Sequence, residues 1–241
     1  MENARDQLRK VQILATLTDA DLDKLAARLT WRRVASREEV VAHLDTGGQV
    51  YFAVEGAFNA TLESAVGRKV TIRQLQAGSH FGEIAALSNT PRSLAITAET
   101  DGLLAECPAE ALIELMLGNG AFATAIARHL SLTVVSLTDR VFELAALEVR
   151  FRIYAELLRL AAHGEQTTEG VLVKNAPTHD TIAATTGTQR EAVTREMRFL
   201  ANSGVLKQNK RELLILDIGR LRNQLHQRAG ATTSEAIDWR V

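Results

Sequence analysis

The sequence lacks the residues and segments that several classes of protein require. Cys107 is the only cysteine, which excludes an internal disulfide and a four-cysteine iron–sulfur cluster. No apolar run approaches the roughly 20 residues that cross a bilayer, and no secretory apolar segment follows the first residues. We therefore expect a cytoplasmic protein with no membrane partner.

Motifs for catalysis are missing as well. The sequence contains no metal-ligand spacing and no nucleophile motif. His129, Ser131 and Asp139 occur together, but they lie on one predicted long helix, where exposed polar positions are expected. We therefore predict neither an enzyme nor a bound metal.

The charge is divided unevenly along the chain. The formal net charge is −1, but residues 1–149 carry −5 and residues 150–241 carry +4. A basic half favours a polyanion partner for the C-terminal part. Taken alone this signal is weak, because many folded domains with such a charge bind no polyanion.

The hydrophobic period changes near residue 31. Residues 1–30 are predicted to be helical, with Thr18 as the cap of an acidic first turn. Between residues 31 and 107, short β-rich segments separated by glycine turns predict an antiparallel sandwich, roll or barrel. The predicted strands are 39–41, 50–54, 58–62, 70–72 and 94–97, and the turn glycines are Gly47, Gly48, Gly56, Gly67 and Gly78.

A long helix is predicted from about residue 121 to 147, where no glycine or proline occurs. Its apolar residues alternate in spacings of four and three: Ala123, Ala127, Leu130, Val134, Leu137, Val141 and Leu144. This heptad seam is typical of a two-stranded coiled coil, and the alternative is a plain amphipathic core helix. We predict a homodimer that forms through residues 121–147.

A winged helix-turn-helix is predicted beyond a polar loop at 164–170. Thr178 caps a helix at 179–185, Gly187 makes a tight turn, and a second helix runs from Thr188 to about Ala201. A hairpin of residues 205–208 and 212–216 follows. The predicted buried face consists of Ile182, Ala183, Val193, Met197 and Leu200.

The second of these helices carries side chains suited to reading DNA. Arg190 can donate two bonds to a guanine, Glu191 can accept from a cytosine, and Arg195 can reach a second guanine or a phosphate. Candidate contacts to the DNA backbone are Thr178, His179, Thr188, Gln189 and Lys207. A solvated face is the alternative for the arginines, and a capping box formed with Thr188 is an additional role for Glu191.

Residues 81–93 combine groups that hold a phosphate and a sugar hydroxyl. Gly82 lets the backbone approach a ligand closely, and Glu83 can accept from a ribose hydroxyl. Arg92 offers a planar fork of donors suited to a phosphate, and Ser93 adds a hydroxyl. Pro91 stiffens the approach to Arg92. The alternative is a surface loop with an ordinary Glu–Arg pair.

With these parts in this order, residues 8–220 resemble the cyclic-AMP receptor (catabolite activator) family of bacterial transcription regulators. The similar segments are 81–83 with 91–93, 144–149, and 187–195. The resemblance implies an α+β fold in four parts. These are a cyclic-nucleotide-binding β-roll domain (1–120), a dimerisation helix (121–147), a winged helix-turn-helix domain (148–225) and a flexible tail (226–241).

The resemblance also implies the effector, which would be cAMP or cGMP. Glu83 would hold the ribose 2′-hydroxyl, and Arg92 and Ser93 would hold the cyclic phosphate. The remaining implied contacts are Phe81, Gly82, Ile84 and Ala85 in the same stretch, and Ser136, Leu137 and Thr138 beside the base.

The sequence departs from the family pattern at two positions. Leu137-Thr138 stands where members that respond to cAMP have Thr-Ser, and leucine cannot bond the adenine amino group. Thr138 or Ser136 can still supply that bond, and cGMP is a serious candidate because Ser93 can accept from a guanine 2-amino group. Leu94 stands where a small residue usually follows the Arg-Ser pair.

The resemblance implies double-stranded DNA with palindromic, TGTGA-like half-sites as a partner, and RNA polymerase as another. Some relatives sense oxygen through an iron–sulfur cluster or carbon monoxide through haem. For haem, His43 and His80 are the only candidate ligands in the roll.

Overall fold

The computed structural model describes residues 3–63 and 69–229. The chain divides into two compact units between Thr133 and Val134. The helices described are α1 (Ala4–Leu8), α2 (Asp19–Ala26), α3 (Glu83–Ser88), α4 (Ala109–Gly118), α5 (Gly120–Ala146), α6 (Val149–Ala162), α7 (His179–Thr185), α8 (Arg190–Asn202) and α9 (Ile218–Ala229). The strands described are β1 (Thr30–Val34), β2 (Glu39–Val41), β3 (Val50–Glu55), β4 (Phe58–Glu63), β5 (Lys69–Leu75), β6 (His80–Phe81), β7 (Ala95–Ala98), β8 (Gly102–Cys107), β9 (Glu165–Gln166), β10 (Val171–Val173), β11 (Leu206–Asn209) and β12 (Glu212–Ile215).

Helix α2 begins at the cap that the sequence predicts. The hydroxyl of Thr18 accepts a hydrogen bond from the backbone N–H of Asp21 at 3.2 Å. The Asp21 carboxylate in turn accepts from the backbone N–H of Thr18 at 3.4 Å, which completes a capping box. Leu22 and Leu25 are buried in the core of the first unit.

Two four-stranded antiparallel sheets make up the roll, in the orders β1-β8-β3-β6 and β2-β7-β4-β5. Strand β3 contributes side chains to the apolar clusters on both sides of its sheet. Val50, Phe52 and Val54 belong to the cluster that includes the N-terminal helices, and Tyr51 and Ala53 belong to the cluster shared with the second sheet. This division follows from the alternation of side chains along a strand. The predicted antiparallel roll is confirmed.

The structure adds elements that the sequence pattern did not reveal, namely β1, β6, β8 and α3. Strand β8 is buried on both faces except at Glu106, so its sequence has no polar alternation to mark it as a strand. The five predicted strands are all present, and no end is shifted by more than three residues. The predicted turn at Gly67 lies outside the described residues.

Helix α5 spans the predicted long helix, and its two parts have different surroundings. Phe122 and Ile126 are buried in the core of the first unit. Further along, the predicted heptad positions face solvent in the single chain. The exposed fractions are 63% for Val134, 45% for Leu137, 67% for Val141 and 54% for Leu144.

By length and composition alone, α5 also qualifies as a candidate membrane span among the described residues. That criterion is weak evidence for a single helix, and α5 carries charged groups that pair with α6. Arg140 donates to Glu156 at 2.9 Å, and Arg159 donates to Glu156 at 2.6 Å and also to Glu143. Glu143 and Glu156 are both buried, so this network fixes the C-terminal part of α5 against α6.

The second unit contains the predicted winged helix-turn-helix. The hydroxyl of Thr178 accepts from the backbone N–H of Thr181 at 3.2 Å and so caps α7. Gly187 has a φ of 63° in the turn between α7 and α8, a backbone conformation that favours glycine. The whole predicted buried face is confirmed: Ile182, Ala183, Val193, Met197 and Leu200.

Two predicted boundaries in this unit need correction. The segment 164–170 is more than a loop, because Glu165–Gln166 forms β9 and pairs with β10. Helix α9 continues to Ala229, through the first four residues of the predicted tail, because Leu221 and Leu225 lie one turn apart and are both buried. The rest of that tail, residues 230–241, lies outside the described residues.

The predicted capping box at the start of α8 is wrong. The helix begins at Arg190 with Gln189 as its N-cap, and no side-chain cap bond is present at this described end. A box between Thr188 and Glu191 requires Thr188 at the N-cap position. The helix begins one residue too late for it, so Glu191 is left exposed in the first turn.

Candidate anion pocket and nucleic-acid interface

Arg92 is a buried cation held by backbone carbonyl groups. Its side chain donates to the carbonyl oxygen of Gly82 at 3.1 Å and to that of Gln49 at 2.7 Å. The residue is 3% exposed, and its guanidinium lies 5.7 Å from the centre of the Tyr51 ring. Among the described residues, its Nε has no hydrogen-bond partner and no carboxylate forms an ion pair with it. The alternative of an ordinary surface pair between Glu83 and Arg92 is therefore wrong.

The backbone around Arg92 fixes its position in the roll. The N–H of Arg92 donates to the carbonyl of Asp45 at 2.8 Å, and the N–H of Leu44 donates to the carbonyl of Arg92 at 2.9 Å. These two bonds hold the arginine against the segment that leads to Gly47 and Gly48. A buried cation without a counter-charge is costly, so this position favours an incoming anion.

Gly82 is where the chain passes closest to Arg92. Its φ is 91°, in the left-handed region, and it is the N-cap of α3. A Cβ added there would lie 2.7 Å from Nη1 of Arg92 and 2.7 Å from the carbonyl oxygen of Gln49. Both the backbone conformation and the space therefore require glycine. Phe81, just before it, is buried and stacks on Tyr51 with ring centres 4.9 Å apart.

Glu83 opens α3 and is buried, with 3% of the residue exposed. Its Oε1 lies 3.5 Å from Nε2 of His129 on α5. Burial alone would raise the pKa of the Glu83 carboxyl, but the interactions with His129 and His80 outweigh burial and leave this pKa below its usual value. Glu83 is therefore an anion at neutral pH.

The other predicted ligand contacts differ in exposure. Ala85 is buried, Ile84 is 43% exposed and Ser93 is exposed. The structure therefore brings Phe81, Gly82, Glu83 and Arg92 together in the first unit, with Ser93 directly after the arginine. Of the two histidines considered for haem, His43 is exposed and His80 is buried.

Ser136, Leu137 and Thr138 are on α5 in the second unit. All three are exposed. The hydroxyl of Thr138 donates to the carbonyl of Val134, one turn earlier in the same helix, at 2.9 Å. In this conformation the donor of Thr138 is occupied by its own helix.

Helix α8 carries its polar side chains outside the stripe formed by its buried residues. At 100° per residue, Arg190, Glu191 and Arg195 fall within an arc of about 140°. Arg190 and Glu191 are exposed, and Nη1 of Arg190 lies 3.5 Å from a carboxylate oxygen of Asp180. Pairs at such exposure are weak, so Arg190 can leave Asp180 for another partner. Arg195 is exposed on the next turn.

Three of the five predicted contacts to the DNA backbone have structural partners of their own. His179 joins three elements, because its Nδ1 lies 3.0 Å from the hydroxyl of Thr194 and its Nε2 lies 3.1 Å from Oε1 of Gln208. Lys207 on the hairpin lies 3.1 Å from Glu169 in an exposed ion pair. Thr178 holds the cap bond to Thr181 described above. The other two residues border the turn, with Gln189 exposed and Thr188 half-buried.

Three residues of these sites were not predicted from the sequence. Gln49 contributes only a backbone carbonyl, and His129 is 46 positions from Glu83, so no local motif marks either residue. Arg198 is different. It is exposed on α8 near the middle of the arc defined by Arg190 and Arg195, and a helical projection of the sequence would have found it.

Comparison with known proteins supports both halves of this description. Residues 31–119 match the cyclic nucleotide-binding domain, and residues 151–224 match the Crp-like helix-turn-helix domain. The transcriptional regulator SdrP of Thermus thermophilus is 30% identical over 184 residues, which are 75% of this chain and 85% of that protein. The cAMP-activated global transcriptional regulator Vfr of Pseudomonas aeruginosa is 26% identical over 191 residues, which are 77% and 88% of the two chains.

A solved structure with the same fold is that of a CooA variant from Carboxydothermus hydrogenoformans. It has a TM-score of 0.77 at 16% identity and covers 94% of this chain and 97% of that one. The fold and these matches define a DNA-binding transcription regulator with a cyclic nucleotide-binding domain. The chain belongs to the cyclic-AMP receptor (CRP/FNR) family, so the predicted resemblance is confirmed.

Proposed function

We propose that this protein is a homodimeric transcription regulator whose DNA binding is controlled by cAMP or cGMP bound in the roll. The observation that carries the proposal is the buried guanidinium of Arg92, which has neutral carbonyl acceptors and, among the described residues, no ion pair with a carboxylate. A cyclic phosphate would supply the missing negative charge in a bidentate geometry.

The neighbouring residues complete a site for the sugar and the phosphate. Glu83 is a buried anion at the start of α3, and its carboxylate would accept from the ribose 2′-hydroxyl. Ser93 would add its exposed hydroxyl to the phosphate, and Phe81, Ile84 and Ala85 would border the sugar. The relative Vfr, whose name describes it as cAMP-activated, supports the choice of a cyclic nucleotide.

Binding would require Arg92 to change partners. Its Nη atoms would leave the carbonyl groups of Gly82 and Gln49 for the phosphate, and the segments that carry those carbonyls would adjust. A ligand shifts an equilibrium only through different affinities for the two states. By linkage, DNA would then tighten nucleotide binding by the same factor.

Selection of the base would fall to α5. Ser136 and Thr138 are the candidate donors or acceptors, and Leu137 would pack without a hydrogen bond. Since Thr138 bonds to Val134 in the present conformation, it would have to rotate to reach a base. We propose both purines as candidates for this reason.

DNA would be read by α8, with Arg190, Glu191 and Arg195 at base edges and Thr178, His179, Thr188, Gln189 and Lys207 beside the backbone. Two copies joined along α5 would present two such helices about 34 Å apart, one helical turn of DNA. The expected site is a palindrome of TGTGA-like half-sites. RNA polymerase would be a further partner, and the protein would act in the cytoplasm without catalysis.

Within this proposal the chain divides by function as the sequence predicts. Residues 1–120 would bind the nucleotide, residues 121–147 would form the dimer, and residues 148–225 would bind DNA. Helix α9 extends the last part to Ala229. The exposed apolar positions of α5 support the middle assignment, since a second copy of the same seam would cover them.

Calorimetric titration of the full chain with cAMP and, separately, with cGMP tests the effector. Tight binding of one nucleotide identifies the purine, and comparable binding of both means that Leu137 has relaxed base selection. Binding of neither nucleotide would refute control by these nucleotides and would leave DNA binding as a separate question.

Fluorescence anisotropy with a labelled palindromic duplex tests the DNA-reading face. We expect Arg190→Ala to relax preference for the duplex over a scrambled one by about 1–3 kcal/mol. The matched control is Arg222→Ala, which removes an exposed arginine from α9. Unchanged preference in Arg190→Ala would refute the assignment of this residue.

A further inference from the structure

Three side chains with metal-binding atoms converge beside the roll. They are His80 on β6, Glu83 at the start of α3, and His129 on α5, and one ligand atom from each lies within 4.8 Å of the other two. The ring centres of His80 and His129 are 4.3 Å apart. Two imidazoles and one carboxylate form a ligand set found in zinc sites and in non-haem iron sites.

The polar atoms of this cluster are buried and short of partners. His80 is 5% exposed and Glu83 is 3% exposed. Within the described residues, neither Nε2 of His80 nor Nε2 of His129 has a hydrogen-bond partner. The contact of 3.5 Å between His129 and Glu83 is at the outer limit of hydrogen-bond distance. Buried polar atoms of native proteins are rarely left so, which points to a group that joins them.

The chemistry of the three side chains suits a cation. Two imidazole rings each offer a nitrogen lone pair, and the carboxylate adds a negative charge.

We propose that His80, Glu83 and His129 bind one divalent transition-metal ion of the zinc, cobalt or iron(II) class. Metal–ligand distances of about 2.1 Å bring tetrahedral ligand atoms to about 3.4 Å from one another, so small rotations of these side chains would close the site. Three protein ligands leave a fourth position for water or another group. The proposal reverses the expectation of no metal, which rested on local spacing alone.

A metal at this place would compete with the nucleotide. This step rests on the proposed function, in which Glu83 accepts from the ribose. A carboxylate bound to a cation has less electron density for a hydroxyl donor and is fixed in orientation. We therefore infer that metal binding weakens nucleotide binding, and that the nucleotide weakens metal binding by the same factor.

Titration of the chelator-treated, nucleotide-free full chain with Co²⁺ tests the site by visible absorption, and calorimetry with Zn²⁺ measures the affinity. We expect one equivalent per chain and at least about tenfold weaker binding in His129→Gln and Glu83→Gln. The control His43→Gln removes an exposed histidine of the roll and should bind as the wild type does. Circular dichroism checks that each variant is folded.

Either of two results would contradict the metal site. If Co²⁺ and Zn²⁺ bind no more weakly to a folded His129→Gln variant than to the wild type, or do not bind at micromolar concentration, the metal site is refuted. These readouts do not involve a nucleotide, so they are independent of the effector assignment. Adding cAMP or cGMP to the Co²⁺ complex then tests the competition, and an unchanged spectrum with the nucleotide bound would refute the sharing of Glu83.

Discussion

Nη2 of Arg92 lies 2.7 Å from the carbonyl oxygen of Gln49, 43 residues earlier in the chain. Through this bond the buried guanidinium donates to a neutral carbonyl group. A phosphate is a stronger acceptor for the same guanidinium, because charge-assisted hydrogen bonds are about twice as strong as neutral ones. In the proposed function Arg92 would therefore exchange its carbonyl partners for the phosphate when the nucleotide binds.

Replacing Arg92 should remove nucleotide binding selectively. A hydrogen bond to a charged group contributes about 1.5–3 kcal/mol, so Arg92→Ala should weaken cAMP or cGMP binding by about ten- to hundredfold or more. Arg92→Lys keeps the charge but loses the planar guanidinium, so its nucleotide affinity should lie between those of the wild type and Arg92→Ala. Calorimetry measures both. Arg33→Ala, an exposed arginine of the roll, serves as the control, and equal losses in that variant would contradict the assignment.

If two copies pair along α5 as proposed, a charge on its seam should separate them. Val141 is 67% exposed in the single chain, and the heptad pattern places it against its counterpart in a second copy. Val141→Glu would bring two carboxylates together in an apolar interface, so we expect a monomer by analytical ultracentrifugation.

Val135→Glu is the matched control for the seam, since Val135 is 54% exposed and lies about 130° around the helix from the seam. It should remain dimeric. A dimer in both variants would show that copies associate elsewhere, and a monomer in both would show that charge anywhere on α5 is disruptive.

Local sequence patterns predict much of this fold, and the features that they do not predict depend on tertiary packing. The caps at Thr18 and Thr178, the turn at Gly187 and the length of α5 depend on neighbours in sequence, so they could be predicted. The backbone carbonyl of Gln49 and the approach of His129 to Glu83 depend on tertiary packing. No spacing in the sequence encodes them. The prediction of a capping box at Thr188 failed for a related reason. The backbone N–H of Thr188 donates to the carbonyl of Ala183 at 2.9 Å, so Thr188 belongs to the turn and α8 begins at Arg190.

The ion network between α5 and α6 should be important for stability. Glu156 accepts from both Arg140 and Arg159. Among the pairs described, Glu143 accepts from Arg159 alone. Breaking a buried pair costs about 3–5 kcal/mol, because it leaves an uncompensated charge. We expect Glu156→Ala to approach that range and Glu143→Ala to cost less, since Arg159 keeps Glu156.

Urea unfolding followed by far-ultraviolet circular dichroism measures these differences. The control is Glu165→Ala, which breaks an exposed pair with Lys174 and should change the free energy of unfolding by less than about 1 kcal/mol. A loss in Glu143→Ala as large as that in Glu156→Ala would contradict the sharing of Arg159 between the two carboxylates.

The single cysteine should be inert while the protein is folded. Cys107 is fully buried, and burial raises the pKa of its thiol to about 12. A raised pKa means that the folded state holds the proton more tightly. Its contribution to stability is complete below the unfolded pKa of about 8.5 and is lost as the pH rises through about 12. At pH 8 the folded protein therefore contains almost no thiolate, which is the reactive form.

A colorimetric thiol reagent tests this expectation. In native buffer it should react slowly and modify less than one equivalent of thiol, whereas in guanidinium chloride it should modify one equivalent rapidly. Cys107→Ala should give no signal in either condition, and rapid stoichiometric modification of the native wild type would show that the first unit opens around β8 far more often than its packing implies.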